Sequence, residues 1–313
     1  MARRPGRDAF AEQVRRTREV RRAVVAAIFA EDEYLDRLAL KGAGALELVY
    51  GLDSRASLDI DLSCDGKLGE DQEALRAKFL ELLTRRFAPD GLYVFDLEMA
   101  PRPPRMTPGM EGFWGGYHAS FKLIEEDKRA ALREDPEAMR RDALVVSVNN
   151  QRTIEIDISH YEYLGATERI DVDGYLVNTY RPVAIVFEKL RAICQQFPEY
   201  GRIVLRNREG APRARDFFDI EEVRSRFTDI SPCAPENIGL LRRLFGAKRV
   251  PLPLLSRIDR DECREFHRMD WARVESTVRN RRALKPFDYY FERTAELCRS
   301  LSETLGIPHP PAP

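Results

Sequence analysis

The chain is predicted to be α+β, with a half of mixed helices and strands up to about residue 180 and a helical half beyond it. Three observations predict this. Apolar and polar residues alternate through 58–62 and 153–159, the two-residue period of half-buried strands. From Pro182 onward apolar residues recur at helical spacing. The 313 residues are 43% apolar and 33% charged with a net charge of −1, which suits one large globular domain or two ordinary ones.

Each element follows in order. Residues 8–29 form an amphipathic helix with Phe10, Val14, Val20, Val24 and Ile28 on its apolar side. A strand at 38–41 runs into a glycine turn, a short helix over 43–50 and the strand at 58–63. A helix spans 71–87, with Leu75, Phe79, Leu82 and Leu83 at helical spacing. Strands are expected at 92–100 and 114–124, separated by a loop over 101–112 that holds four prolines and two glycines. The polar segment 125–141 is helical or irregular, and strands follow at 153–159 and 175–180. Helices then fall near 182–196, 214–227, 235–246, 252–268, 270–280 and 287–305, punctuated by Pro251, Pro253 and Pro286. No internal repeat is visible.

Composition narrows the function classes. No run of about 18 apolar residues occurs, so no membrane helix is expected. The arginine-rich start is followed by no apolar signal region. Five scattered cysteines with no CxxC pair predict reduced thiols and a cytoplasmic setting. Charge is clustered nonetheless: eight arginines against three acids in the first 22 residues, then Arg202, Arg206, Arg208, Arg213 and Arg215, then Arg279, Arg281, Arg282 and Lys285. Such clusters are either phosphate-binding patches or solvated helix faces.

Chemistry concentrates in Lys41-Gly42-Ala43-Gly44-Ala45-Leu46 and Arg55-Ala56-Ser57-Leu58-Asp59-Ile60-Asp61-Leu62. On a strand, Asp59 and Asp61 project to one face while Leu58, Ile60 and Leu62 anchor the other. Neighbouring carboxylates repel, and a hard divalent cation, usually Mg²⁺, relieves them. The 153–159 strand offers a further acid, Glu155 or Asp157, on the face opposite Ile154, Ile156 and Ile158. Paired cations held by such acids clamp the attacking and leaving oxygens of phosphoryl transfer. The turn at Gly42 and Gly44 would offer backbone N–H groups to a phosphate, with Ser57 and Arg55 as side-chain donors.

Two later signals point the same way. The chain has only eight lysines, and Lys189 sits on the apolar stripe of its helix, four residues from both Ile185 and Ile193. A cation there needs a negative partner. Asp216 shares an inward face with Ile220, Val223 and Phe227 and is the natural partner, whereas Asp219 is ambiguous, an ordinary surface acid being one reading of it.

Taken in order, the Lys-Gly-Ala-Gly-Ala-Leu, Arg-x-Ser-x-Asp-Ile-Asp-Leu, Phe-Glu-Lys-Leu-Arg-Ala-Ile and Arg-Ala-Arg-Asp-Phe-Phe-Asp-Ile blocks resemble the AbiEii/AbiGii (MenT-like) nucleotidyltransferase toxins of the DNA polymerase β-type superfamily. The resemblance covers roughly residues 35–225. It implies a polymerase-β-like catalytic domain with a mixed sheet (1–180) and a helical domain (181–313) that contributes Lys189 and Asp216. It also implies transfer of NMP from an NTP to an RNA acceptor, typically the tRNA 3′ end, and a cognate antitoxin. By position, Asp59 and Asp61 match the metal acids and Asp157 the third. Gly42, Ala43, Arg55 and Ser57 match the nucleotide-binding segment, and Lys189 and Asp216 the later pair. Two Mg²⁺ ions are implied as cofactors. Ala43 departs from the family's usual glycine or serine, and the helices beyond 228 match nothing in it. Two alternatives stand beside this expectation: transfer to a protein or small-molecule hydroxyl, and a non-catalytic module that binds RNA or a partner.

Overall fold

The structure, a computed structural model, describes residues 7–55, 59–69, 71–146 and 150–308, the side chains of residues 7–11 excepted. Its elements run α1 (Arg7–Phe29), α2 (Asp32–Arg37), β1 (Leu38–Lys41), α3 (Gly42–Leu48), β2 (Ile60–Cys64), α4 (Gln72–Phe87), β3 (Leu92–Pro101), β4 (Gly116–Glu125), α5 (Glu126–Ala131), α6 (Pro136–Asp142), β5 (Ile154–Ser159), β6 (Thr167–Val172) and β7 (Tyr175–Tyr180). The helical half follows directly: α7 (Pro182–Cys194), α8 (Pro198–Ile203), α9 (Ala214–Arg226), α10 (Pro235–Ala247), α11 (Asp261–Arg268), α12 (Trp271–Thr277) and α13 (Phe287–Leu305).

The strands form one mixed sheet in the order β3-β4-β5-β2-β1-β7-β6. β2 is central: it runs antiparallel to β1 and parallel to β5, while β1 is parallel to β7. Apolar side chains of β2 and β5, Ile60, Leu62, Ile156 and Ile158, are buried on the core face. The alternation read from sequence therefore sets which face carries the acids. Local capping sets helix starts, as where Asp71 accepts from the backbone N–H groups of Glu73 and Ala74 at the head of α4.

The helical half packs through α7, which contacts both α9 and α10. An aromatic set fixes α9 to α13: the Phe217 ring lies 5.5 Å from Phe287 and 5.6 Å from Phe291. One continuous hydrophobic cluster reaches from Val20 to Leu301 and takes in both halves.

The departures from the sequence reading have local causes. β6 is an edge strand whose Glu168, Arg169 and Asp171 leave little apolar alternation to read. α2 and α8 have only six residues each, too few for a period. The expected 252–268 helix is a 3₁₀ turn at Leu252–Arg257 followed by α11, because Pro251 and Pro253 tighten its start.

Two buried histidines make the fold acid-sensitive. His267 is buried in α11, and its Nδ1 accepts the backbone N–H of Arg213 at 2.9 Å. Burial holds both His160 and His267 down to about 4. A depressed folded-state value means stability is intact above the unfolded value near 6.5 and is lost as pH falls toward 4. Each histidine is expected to contribute about 1–3 kcal/mol to that fall. Urea unfolding at a series of pH values should show the loss, and His267→Gln, which keeps an acceptor for the Arg213 amide, should make it shallower. An unchanged slope in that variant would contradict the assignment.

Candidate active site

The acids meet through strand register. Asp61 on β2 lies opposite Asp157 on β5, so adjacent positions on parallel strands face the same way. Glu155 sits two residues earlier on β5 and Asp59 immediately before β2, which extends the acidic face to four carboxylates. Their electrostatics agree. The carboxyl of Asp59 is pushed above its ordinary range by burial, then by Asp61 and Glu155. That of Asp61 is pushed up by burial against the pull of Lys41, with Glu188 and Asp157 adding to the rise. Among the described residues, no hydrogen bond or ion pair reaches either carboxylate.

The glycines of the turn are explained by close approach. Gly42 has φ +63°, and a Cβ there would stand 2.7 Å from Asp61 Oδ2. Any side chain would strain the backbone and displace the carboxylate. A Cβ on Gly44 would stand 3.4 Å from Arg21 Nη2. That buried guanidinium pairs with Glu47 and reaches the Asp59 carbonyl at 3.4 Å, supporting the start of the acid strand from below. Ala43 is buried in the first turn of α3.

Two buried cation networks flank the acids. In the first, Lys41 Nζ lies 3.1 Å from Ser159 Oγ and 3.6 Å from both Glu162 and Glu188. Arg191 bonds Glu162 at 2.7 Å, and Lys248 joins it at 3.6 Å. Burial works against the charge on Lys41, and Glu162 and Glu188 outweigh it, so its ammonium is held above the usual range. Glu162, despite its burial, is brought down to about 2 by Arg191, Lys248 and Lys41.

The second network contains the later pair read from sequence. Lys189 Nζ sits 3.3 Å from Asp216 Oδ1 and 2.6 Å from Asp219 Oδ2, all three groups buried. Arg213 bonds the other oxygen of Asp216. Burial raises Asp216, but Arg213 and Lys189 hold it well below the carboxylate range. Asp219 is no surface acid: it is 2% exposed and also receives a bidentate grip from Arg55 at 2.8 and 2.7 Å. Arg55, expected among the phosphate donors, thus has two of its nitrogens committed to Asp219. Ser57 lies outside the described residues.

Asp157 is placed differently from its neighbours. Its Oδ1 accepts from Arg102 Nη1 at 2.6 Å and faces His118 Nδ1 at 3.0 Å. A hard divalent cation suits the four carboxylates in donor chemistry and in charge, since three of them, Asp59, Asp61 and Glu155, have no ion pair among the described residues. Among the described residues, no three His, Cys, Asp or Glu side chains converge closely enough to hold a metal as they stand. Closing a shell around an ion would therefore take side-chain rotation.

Sequence reasoning missed Lys41, Glu188, Arg102, His118, Asp219 and Arg215 as neighbours of the site. Lys41 opens the glycine motif and was open to the same argument as Lys189, a scarce lysine among apolar residues. Arg215 is exposed and acts electrostatically on both Asp59 and Asp61. Basic residues of the first cluster are largely spent within the protein: Arg15 on Glu12 and Glu19, Arg16 on Glu125, Arg18 and Arg21 on Glu47, and Arg22 on Asp173.

Removing Lys189 leaves two buried carboxylates short of one cation. Lys189→Ala is expected to cost about 3–5 kcal/mol in chemical denaturation. Lys128→Ala removes an exposed lysine paired with Glu125 and should stay within about 0.5 kcal/mol of the parent. Equal losses would remove Lys189 from the network. Lys248 would be unfit as that control because it is buried against Glu162.

A model of the nucleotidyl transferase AbiEii toxin family of type IV toxin–antitoxin systems matches residues 23–293. No curated protein matches the chain. The match begins within α1 and ends within α13, so it takes in the glycine turn, the acidic strands and the Lys189–Asp216 pair. The chain belongs to the nucleotidyl transferase AbiEii toxin family of type IV toxin–antitoxin systems.

Proposed function

We propose that the chain is a metal-dependent enzyme that transfers NMP from an NTP to the 3′-terminal hydroxyl of an RNA, with tRNA as the acceptor. The observation that carries this reading is the pairing of Asp61 with Asp157 in register across β2 and β5, with Gly42 shaped to receive the Asp61 carboxylate. Asp59 and Asp61 would hold two Mg²⁺ ions, with Asp157 as a ligand of one. Bound there, the ions would supply charge neutralisation to the phosphates and lower the pKa of the acceptor hydroxyl.

The protein's own groups do the rest. The acceptor oxygen bonds to the α-phosphorus as the bond to pyrophosphate breaks, and the hydroxyl proton passes to Asp157. Gly42, Ala43 and Ser57 line the nucleotide phosphates. Lys189 ties α7 to α9 through Asp216 and Asp219, and Arg55 fastens the segment before β2 to Asp219. Lys189 adds positive potential toward the leaving pyrophosphate, and Arg215 is an exposed cation that acts on Asp59 and Asp61. Exposed Arg102, Arg202, Arg208 and Arg215 supply charge for an RNA backbone. Membership in a toxin–antitoxin family brings an antitoxin as partner. No helix among the described residues is long and apolar enough to cross a membrane.

The test supplies the protein with Mg²⁺, each labelled NTP in turn, total tRNA and a cell extract. Label is expected on tRNA, and it should fall steeply as salt rises. Asp61→Asn should abolish it. Label on protein or on a small molecule would replace the acceptor, and no label on any acceptor would overturn the reading. Full transfer by Asp61→Asn would remove the acid face from catalysis.

A further inference from the structure

Of the four acids on the β2–β5 face, Asp157 alone has its carboxylate bonded to other described residues, and both of its partners meet the same oxygen. Arg102 Nη1 lies 2.6 Å and His118 Nδ1 3.0 Å from Oδ1. No described residue bonds Oδ2. Because a carboxylate oxygen accepts, the ring nitrogen of His118 carries the proton in this contact.

Both partners are held by the sheet itself. His118 on β4 stands directly opposite Asp157 on β5. Arg102 follows the last residue of β3, and its backbone N–H donates to the Gly116 carbonyl at 2.9 Å, which continues the β3–β4 ladder by one bond. The Arg102 side chain is 63% exposed and that of His118 30%. An ion pair so exposed adds little to stability. Its convergence with a histidine on one oxygen is better suited to fixing the orientation of a carboxylate, as partners outside a ligand shell do.

We propose that Arg102 and His118 are positioning residues for Asp157: together they occupy Oδ1 and reserve Oδ2 for the cation and the acceptor hydroxyl. This rests on the nucleotidyl-transfer reading above. It assigns a role to the loop that joins β3 to β4, which carries Arg102 and has no other link to the chemistry. It also separates Asp157 from Glu155, since Glu155 has no such clamp.

The experiment compares full-length His118→Ala, His118→Asn, Arg102→Met and the Arg102→Met/His118→Ala pair with the parent. Three readouts are taken: kcat and KM for the NTP, Mn²⁺ affinity by electron paramagnetic resonance without nucleotide, and the melting temperature. The double variant is expected to lose about 10- to 100-fold in kcat and to bind Mn²⁺ several-fold more weakly. Its KM should change by less than about threefold, and its melting temperature by no more than about 3 °C. His118→Asn keeps a donor near the position of Nδ1 and should recover most of what His118→Ala loses. Parent-like kcat and Mn²⁺ affinity in the double variant would overturn the proposal. So would losses that follow the melting temperature and are not recovered by asparagine. Should the parent transfer no label at all, the functional reading fails separately, and the Mn²⁺ affinities still decide whether the clamp acts on Asp157.

Discussion

Repulsion along the acidic face of β2 and β5 is the constraint on which the rest of the structure depends. Two unit charges about 4 Å apart at the effective dielectric of a protein surface cost about 4 kcal/mol. Four carboxylates on one face therefore cannot all stay charged without help. The carboxyls of Asp59 and Asp61 are raised first by burial, and neighbouring acids add to the rise. Strand register imposes this proximity, because the same alternation that buries Ile60, Leu62, Ile156 and Ile158 must send the acids to the other side.

The surrounding cations answer it in a particular way. Among the described carboxylates, Lys41, Arg191 and Lys248 form ion pairs only with Glu162 and Glu188, and Arg55, Lys189 and Arg213 only with Asp216 and Asp219. Each network thus has three cations for two carboxylates and leaves a surplus positive charge beside the acids. None of these cations bonds Asp59 or Asp61, so those two carboxylates remain available. The helical half earns its place in the site through this arrangement: α7 and α9 supply Lys189, Arg191, Asp216 and Asp219. Arg55 then ties that half to the segment entering β2.

Much of this was legible in the sequence because it depends on period and spacing. The two-residue alternation placed Asp59 with Asp61 and Asp157 with Glu155, and helical spacing turned Lys189 and Asp216 inward. What could not be read depends on partners distant in the chain. Asp219 looks like a surface acid until Arg55, 164 residues away, is seen to grip it. The second glycine of the turn seemed made for phosphate, yet its missing side chain leaves room for Arg21. The Arg102 and His118 contacts with Asp157 arise from neighbouring strands whose register no local pattern announces. Edge strand β6 was invisible because an edge exposed to solvent needs no apolar alternation.

The central claim is that Asp61 is kept for chemistry at a cost to the fold, and the melting temperature of Asp61→Asn in EDTA tests it most directly. Removing one charge from a repelling face should raise the melting temperature above that of the parent, while the stabilisation that Mn²⁺ gives the parent should disappear in the variant. A variant that melts lower than the parent in EDTA, or that gains as much from Mn²⁺, would contradict the account.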